Sequence, residues 1–292
     1  MACYKPIKAY ATGNGGVVFS ELKRHGDIQK TMWLSCGQCA GCRLERSRQW
    51  AVRIMHEAQL HKKNSFITLT YNDENIPEHH TLRHRDFALF AKRLRKKHDI
   101  RYYMCGEYGD ATGRPHYHAC IFGENFQNDR YEWKKSNGYQ LYRSKELEKL
   151  WTLGDSNIGE LTFESAAYTA RYIMKKITGD LAEEHYKRIT PEGEIIKIQP
   201  EYNQMSRNGG IGKAWLEKYW RDVKNGYVIT NGKQAGLPKF YKKYFKNTEH
   251  KHTLDELAEE LYNAADNTWE RLGTREIVTL ARINQFQRNI EL

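Results

Sequence analysis

The chain has 292 residues, 47 Lys and Arg against 36 Asp and Glu, a formal net charge of +11 and 12% aromatic residues. That length holds one large domain or two small ones. The cation excess beside aromatics favours a polyanionic partner, nucleic acid first, although a merely soluble basic protein also meets it. Six cysteines in so long a chain exclude a disulfide scaffold. With no signal-like start and no apolar run of membrane-spanning length, a reducing cytosol is expected.

The first 45 residues read as loop-rich, with Cys36, Cys39 and Cys42 in a C-x2-C-x2-C cluster. Soft thiolates at this spacing suit a structural Zn²⁺ site, with Cys3 as a candidate fourth ligand, or an iron–sulfur cluster. Three reduced cysteines in a turn would look the same. Arg43 to Lys63 reads as a helix, because Leu44, Ser47, Ala51, Met55 and Ala58 recur at steps of three and four. Arg43, Arg46, Arg48 and Arg53 are candidates for DNA phosphate contact, against the reading of a solvated basic face.

Phe66 to Tyr71 is β-branched and aromatic, a buried strand ended by Asn72, Asp73 and Pro77. Asp86 is expected to cap a helix that turns Phe87, Phe90, Ala91 and Leu94 inward. Arg101 to Gly106 is a second strand. A Gly/Asp-rich hairpin, Glu107 to Pro115, leads into a third strand that carries His116-Tyr117-His118. Phe163 to Lys176, starting near Ser165, is a further helix. The order β-α-β-β-…-α predicts an α+β fold: an antiparallel sheet with a ferredoxin- or RRM-like split βαβ core and helices on one face. Three segments are expected: a Cys-rich 1–45, a core 46–180, and a C-terminal extension 181–292. In the extension, Tyr227 to Thr230 reads as a strand. Thr253 and Glu256 form a capping-box pattern opening an acidic helix.

Residues two apart on a strand share a face, so His116 and His118 can grip one ion. The hairpin would bring Glu107 beside them. Two imidazoles and one carboxylate with open positions suit Mg²⁺ or Mn²⁺ without excluding Zn²⁺. Taken alone, Glu107 also reads as a solvated hairpin carboxylate. Asp73, Glu74 and Asp110 are weaker competitors, and His79, His80 and His84 read as surface residues. On the following helix, Tyr168 and Tyr172 are four apart and share a face about 6 Å from each other along the axis. Arg171 and Lys175 each lie three residues beyond a tyrosine, where a cation favours a phenolate and holds phosphate. Arg171 and Lys176 are further candidates for DNA contact. By spacing alone the pair also fits an amphipathic core helix.

Together these motifs resemble the HUH endonucleases, most closely the rolling-circle replication initiators of microviruses. Phe66 to Tyr71 resembles the family's first motif strand, and His116-Tyr117-His118 its His-hydrophobic-His motif. Glu107 stands where related initiators place a third ligand. Tyr168-x-x-Arg171-Tyr172-x-x-Lys175 is similar to the two-tyrosine helix. Cys3, the cysteine run and Asn203 to Gly212 look like the gokushovirus branch, although Asn208 and Gly209 depart from its Arg-Pro. The resemblance implies site-specific nicking of single-stranded DNA at a phage origin on Mg²⁺ or Mn²⁺. One tyrosine would form a 5′-phosphotyrosine link, and the second would act after one round to close a circle. It further implies host polymerase and helicase as partners and the cytoplasm of a host bacterium as the setting. No Walker-type motif supplies unwinding from this chain. The rival readings are a non-catalytic RRM-like binder, another HUH class and a water-using metallohydrolase.

Overall fold

The computed structural model describes residues 3–20, 27–109, 112–136, 138–171, 181–190, 192–230, 232–245, 256 and 266–288. The elements begin with β1 (Ile7–Thr12), β2 (Val17–Val18), β3 (Ile28–Leu34), α1 (Ala40–Ala58), β4 (Asn64–Tyr71) and α2 (His84–Arg95). There follow β5 (Arg101–Tyr108), β6 (Pro115–Phe122), β7 (Arg130–Ser136), β8 (Tyr139–Ser144), α3 (Lys145–Leu150), β9 (Gly154–Gly159) and α4 (Phe163–Arg171). After α5 (Leu181–His185) come β10 (Lys187–Ile189), β11 (Ile195–Lys197), β12 (Tyr202–Met205), α6 (Lys213–Val223), β13 (Tyr227–Thr230), β14 (Lys233–Gly236), α7 (Lys239–Tyr244) and α8 (Trp269–Arg288). The chain gathers into two units, Met1–Arg46 with Glu249–Leu292, and Ser47–Thr248.

The larger unit holds a seven-stranded sheet in the order β12-β5-β6-β4-β9-β8-β7, antiparallel throughout. Because β4 and β5 both pair with β6, they run parallel to each other with β6 between, joined through α2. This is the expected split βαβ. Strict alternation in β4 decides the faces. Ile67, Leu69 and Tyr71 are buried against α2 and α3 with Phe87, Phe90, Leu147 and Trp151. Phe66, Thr68 and Thr70 point the other way. There, Ala51, Ile54 and Ala58 of α1 and Ala166 and Ala170 of α4 pack over Tyr103, Cys120 and Phe122. Helices therefore cover both faces rather than one. The central strands β5 and β6 are apolar on both sides, and each side must be shielded from water.

Asp86 is not the cap of α2: the helix starts at His84 after Arg83, without a side-chain cap. Its carboxylate instead accepts 2.7 Å from the Tyr71 hydroxyl, which lies 2.7 Å from that of Tyr117. Two glycine positions are forced. Gly154 has φ 152°, and a Cβ there would lie 2.3 Å from both Asn72 N and Thr70 O. Gly212 has φ 78°, and a Cβ would meet Tyr241 Oη at 2.5 Å. The Gly-rich loop before Gly212 is held by Arg101, which donates to the carbonyls of Asn208 and Gly210, both at 2.8 Å. Buried Glu57 accepts from Arg101 Nε at 2.5 Å and from Gly212 N at 2.6 Å.

The smaller unit has a three-stranded sheet, β2-β1-β3, and α8. Trp33 meets Trp269 edge-on at 5.7 Å, Tyr4 Oη lies 2.8 Å from Thr279 Oγ1, and Lys5 pairs with Glu276 at 3.3 Å. The acidic helix expected from Thr253 lies outside the described residues apart from Glu256. Among the described residues, no helix is long and apolar enough to cross a membrane.

Candidate metal centre and nucleophile

The β5–β6 hairpin pairs Glu107 directly with His116 and Cys105 with His118. Strand pleating then sends His116, His118 and Glu107 to one sheet face and Tyr117 into the opposite core, where it is fully buried. Glu107 Oε1 lies 2.6 Å from His116 Nε2 and 3.0 Å from His118 Nε2. The three residues offer ligand atoms to a common point. Cis ligands on an ion with bonds of about 2.1 Å sit about 3 Å apart, so the spacing fits a small divalent cation.

The hydrogen-bond pattern supports that fit. His116 Nδ1 lies 3.1 Å from the Arg114 carbonyl, which only accepts, so Nδ1 carries the proton. A neutral His116 then turns a lone pair on Nε2 toward a carboxylate oxygen. That approach is repulsive unless a second proton or a cation lies between them. Burial works to raise the Glu107 carboxyl, but the two histidines outweigh it and hold it below its ordinary range. Glu107 is 2% exposed, and its Oε2 has no hydrogen-bond partner among the described residues. An orphaned, ionised, buried oxygen is what an ion would satisfy.

Thr68, which sequence reasoning missed, lies 2.9 Å from His118 Nδ1 and holds that ring from behind. Phe66 stacks on the same ring at 5.5 Å and 10°. The signal was the alternation in β4, which puts Phe66, Thr68 and Thr70 on the histidine face, with Thr68 in register with His118 and Thr70 with His116.

Tyr168 on α4 stands over this face. Its ring meets His118 edge-on at 5.3 Å and Phe66 at 6.3 Å, and the residue is 38% exposed. Arg171 lies exposed at the end of α4. Tyr172, Lys175 and Lys176 lie outside the described residues. Of the competing carboxylates, Asp73 is exposed and paired with Arg114, Glu74 is exposed, and Asp110 lies outside the described residues. His84 packs on Tyr202 at 3.6 Å.

The cysteines form a second cluster within the smaller unit. Cys3, Cys36, Cys39 and Cys42 bring their sulfurs within 4.8 Å of one another, with Cys36–Cys42 at 4.0 Å and Cys39–Cys3 at 3.9 Å. Tetrahedral bonds of about 2.3 Å would put sulfurs about 3.8 Å apart. The amides of Tyr4, Cys36 and Cys39 each donate to a cluster sulfur at 3.3 Å. Burial works to raise Cys39, yet donors including the Tyr4 and Cys42 amides bring it down to about 7. Thiolate is the form that binds metal. Cys105 and Cys120 are buried in the sheet, apart from this group.

The arginines divide. Arg46 reaches the Gly37 carbonyl at 3.5 Å, Arg43 is half-buried, and Arg48 donates to the Gly236 carbonyl at 2.8 Å. Arg53 is turned inward. It is 7% exposed, lies between the rings of Trp50 and Phe240 at 4.0 and 3.9 Å, and donates to the Ile211 carbonyl. A buried guanidinium spent on the fold is not offered to DNA phosphate, contrary to the surface role expected of it.

The family model for replication-associated proteins of the ORF2 type matches residues 64–177, which include both the histidines and Tyr168. The chain is 34% identical over 258 residues to "Replication-associated protein VP4" of Bdellovibrio phage phiMH2K, covering 84% of this chain and 78% of that protein. It is 32% identical over 284 residues to "Replication-associated protein ORF2" of Spiroplasma virus 4, covering 88% and 82%. Against "Replication-associated protein ORF4" of Chlamydia phage 1 the figures are 28%, 79% and 57%. No solved structure gives a significant match.

Proposed function

The chain belongs to the microvirus-type rolling-circle replication-associated proteins of phages, and on that premise we propose that it is a metal-dependent single-stranded DNA endonuclease and strand-joining enzyme with a tyrosine nucleophile. The observation that carries the reading is Tyr168 standing edge-on to His118, over the face that gathers Glu107, His116 and His118. Those three residues would hold Mg²⁺ or Mn²⁺, which when bound polarises a phosphate and offsets charge that develops on it.

The remaining chemistry falls to the chain's own groups. The phenol oxygen of Tyr168 attacks phosphorus, an O–P bond forms, and the bond from phosphorus to the 3′-oxygen breaks. The phenolic proton passes to solvent and the leaving oxygen takes one up. The products are a 5′-phosphotyrosine and a free 3′-hydroxyl, and bond energy is conserved without ATP. Arg171, on the same helix, is placed to bind backbone phosphate. Thr68 and the Arg114 carbonyl fix the two imidazoles. Tyr172 is assigned the second, strand-closing attack by its spacing from Tyr168, and Lys175 and Lys176 a share in phosphate binding. The free 3′-hydroxyl would be extended by a host polymerase, with unwinding by a host helicase. In the smaller unit, Cys3, Cys36, Cys39 and Cys42 would hold a structural Zn²⁺, fastening the loop around Cys36 to the chain at Cys3.

The test incubates protein with Mn²⁺ and single-stranded fragments tiling the cognate genome, then looks for a covalent adduct on a denaturing gel. Wild type should form one with a single fragment, and Tyr168→Phe combined with Tyr172→Phe should form none. An adduct that survives the double change would overturn the choice of nucleophile. No adduct with any fragment would leave a nucleic-acid binder without this chemistry.

A further inference from the structure

The β7–β8 hairpin takes no part in the chemistry above, yet it carries most of the exposed aromatic surface of the sheet. Tyr131, Trp133 and Tyr139 are 47%, 40% and 57% exposed. Residues 130–144 include Arg130, Lys134, Lys135 and Arg143 against the single acid Glu132.

Register decides which way these side chains point. Tyr142 pairs with Ile158, whose row continues through Ile67 into the α2 core, so Tyr142 faces that core. Its neighbours in β8, Arg143 and Leu141, and beyond them Tyr139, therefore face the opposite side. Arg143 confirms the direction by pairing at 2.9 Å with Asp155, which lies in the same row as Thr70 and His116. Across the hairpin, Tyr131 pairs with Arg143 and Lys134 with Leu141. The register shift between Glu132 and Lys134 lets Trp133 join them, and its ring sits 4.2 Å from both Arg143 Cζ and Lys134 Nζ. Tyr131, Trp133, Lys134, Tyr139 and Arg143 thus continue the face on which Glu107, His116, His118 and Tyr168 lie.

We infer that this aromatic and cationic strip is a binding track for single-stranded DNA running from the nicked phosphate to the β7 edge of the sheet. The inference rests on the endonuclease reading for its direction and on the hairpin's own residues for its chemistry. Exposed rings offer sequence-tolerant stacking platforms for unpaired bases, and adjacent cations follow the phosphates. A duplex hides its bases from such rings. From β6 to β7 there are four strand spacings, about 19 Å. That span is about six nucleotides at the 3.4 Å phosphate spacing of a stacked strand. Asp155, the acid on the path, is already neutralised by Arg143. The charges along β7 also guard the open edge against pairing with another strand, which favours DNA over a second copy of the chain.

The experiment measures fluorescence anisotropy of labelled oligo(dT) of about 12 nucleotides, twice the span, against full-length protein. Tyr131→Ala with Trp133→Ala should weaken binding about 5- to 150-fold per ring removed, with duplex binding unchanged. Lys134→Gln should lower the slope of log affinity against log salt by about 0.7, one phosphate contact. Tyr139→Ala near the hairpin tip, where truncation leaves no cavity, gives the same readout should the double variant melt early. Wild-type affinity and slope in all three would overturn the track. So would an equal loss on duplex, or a wild-type dimer in sedimentation that these changes dissociate. If wild type binds oligo(dT) through these rings but never forms an adduct, the endonuclease reading falls and the surface stands. Adducts together with unchanged oligo(dT) binding would do the reverse.

Discussion

His56→Gln should remove a pH dependence of stability that the larger unit carries between pH 6.5 and about 4. His56 sits on α1, 5% exposed, stacked on Trp215 at 3.5 Å with Nδ1 3.0 Å from the Tyr241 hydroxyl. Burial pushes its pKa from 6.5 down to about 4. The unfolded chain therefore takes up a proton as pH falls through 6.5, whereas the folded ring stays neutral until pH nears 4. Stability is full above pH 6.5 and is lost on acidification across that window. The gap, at about 1.4 kcal/mol per pH unit, is worth about 3 kcal/mol. In a unit of this size that corresponds to a fall in melting temperature of about 6–12 °C. Buried Glu57 and Glu107, whose carboxyls are held below their ordinary 4.5, weaken the fold only as pH drops under that value. The upper part of the window thus isolates histidine. Thermal melts followed by tryptophan fluorescence, with Trp215 against the ring itself, measure the effect at intervals from pH 7.5 to 4.5. Wild type should lose melting temperature steadily below 6.5, and His56→Gln should start lower but run nearly flat. Parallel curves for the two proteins would refute the assignment.

Glu107→Gln keeps the side chain's shape and removes its charge, so Mn²⁺ affinity measured by calorimetry should fall about 100-fold or more, the upper end of what even an outer-sphere partner costs. Unchanged affinity would mean that the ion sits elsewhere. For the cysteines, metal analysis after chelator-free purification should find one zinc per chain, and Cys39→Ser should lose it and lower the melting of the smaller unit. Protein that is folded and free of zinc and iron would remove that site. Gly154→Ala should cost about 3 kcal/mol or more by chemical denaturation, because the new Cβ meets backbone at 2.3 Å in a φ region that L residues avoid. A loss under about 1 kcal/mol would show that the β4–β9 junction can relax.

The split βαβ and the ligand trio were legible because both follow from period two. Once His116 and His118 are set on a strand and Glu107 at the mouth of a short hairpin, pleating alone decides that all three share a face, and the observed pairing of Glu107 with His116 follows. Tyr168 was legible for a different reason: helical spacing marked it beside Tyr172, but only the docking of α4 on the histidine face puts its ring next to His118. The cysteine cluster was legible as spacing, with Cys3 the long-range guess, and the four sulfurs do converge. Helices on both faces were legible in principle. Tyr102 to Cys105 and Ala119 to Phe122 are apolar without alternation, the mark of strands shielded on both sides.

What escaped the sequence depended on a partner far along the chain. Asp86 carries the residue type of a helix cap, but its preference for the first turn competes with a buried phenol needing an acceptor. Tyr71, fifteen residues earlier, wins at 2.7 Å. Arg53 has the type and helical position of a surface cation. The loop ending at Ile211 and the ring of Phe240 close over it, so its charge is spent inside the fold. The strands β7 and β8 were read as a polar stretch because they border one sheet edge, where burial no longer forces an apolar alternation. Tyr131, Trp133 and Tyr139 keep their rings in water there without a core to explain them. An aromatic residue that the fold does not need is the place where a sequence pattern stops reporting on packing and starts reporting on a ligand. The same logic, applied in reverse, separates Arg53 from Lys134: the first completes the interior, while the second is left on the face that a DNA strand would cross.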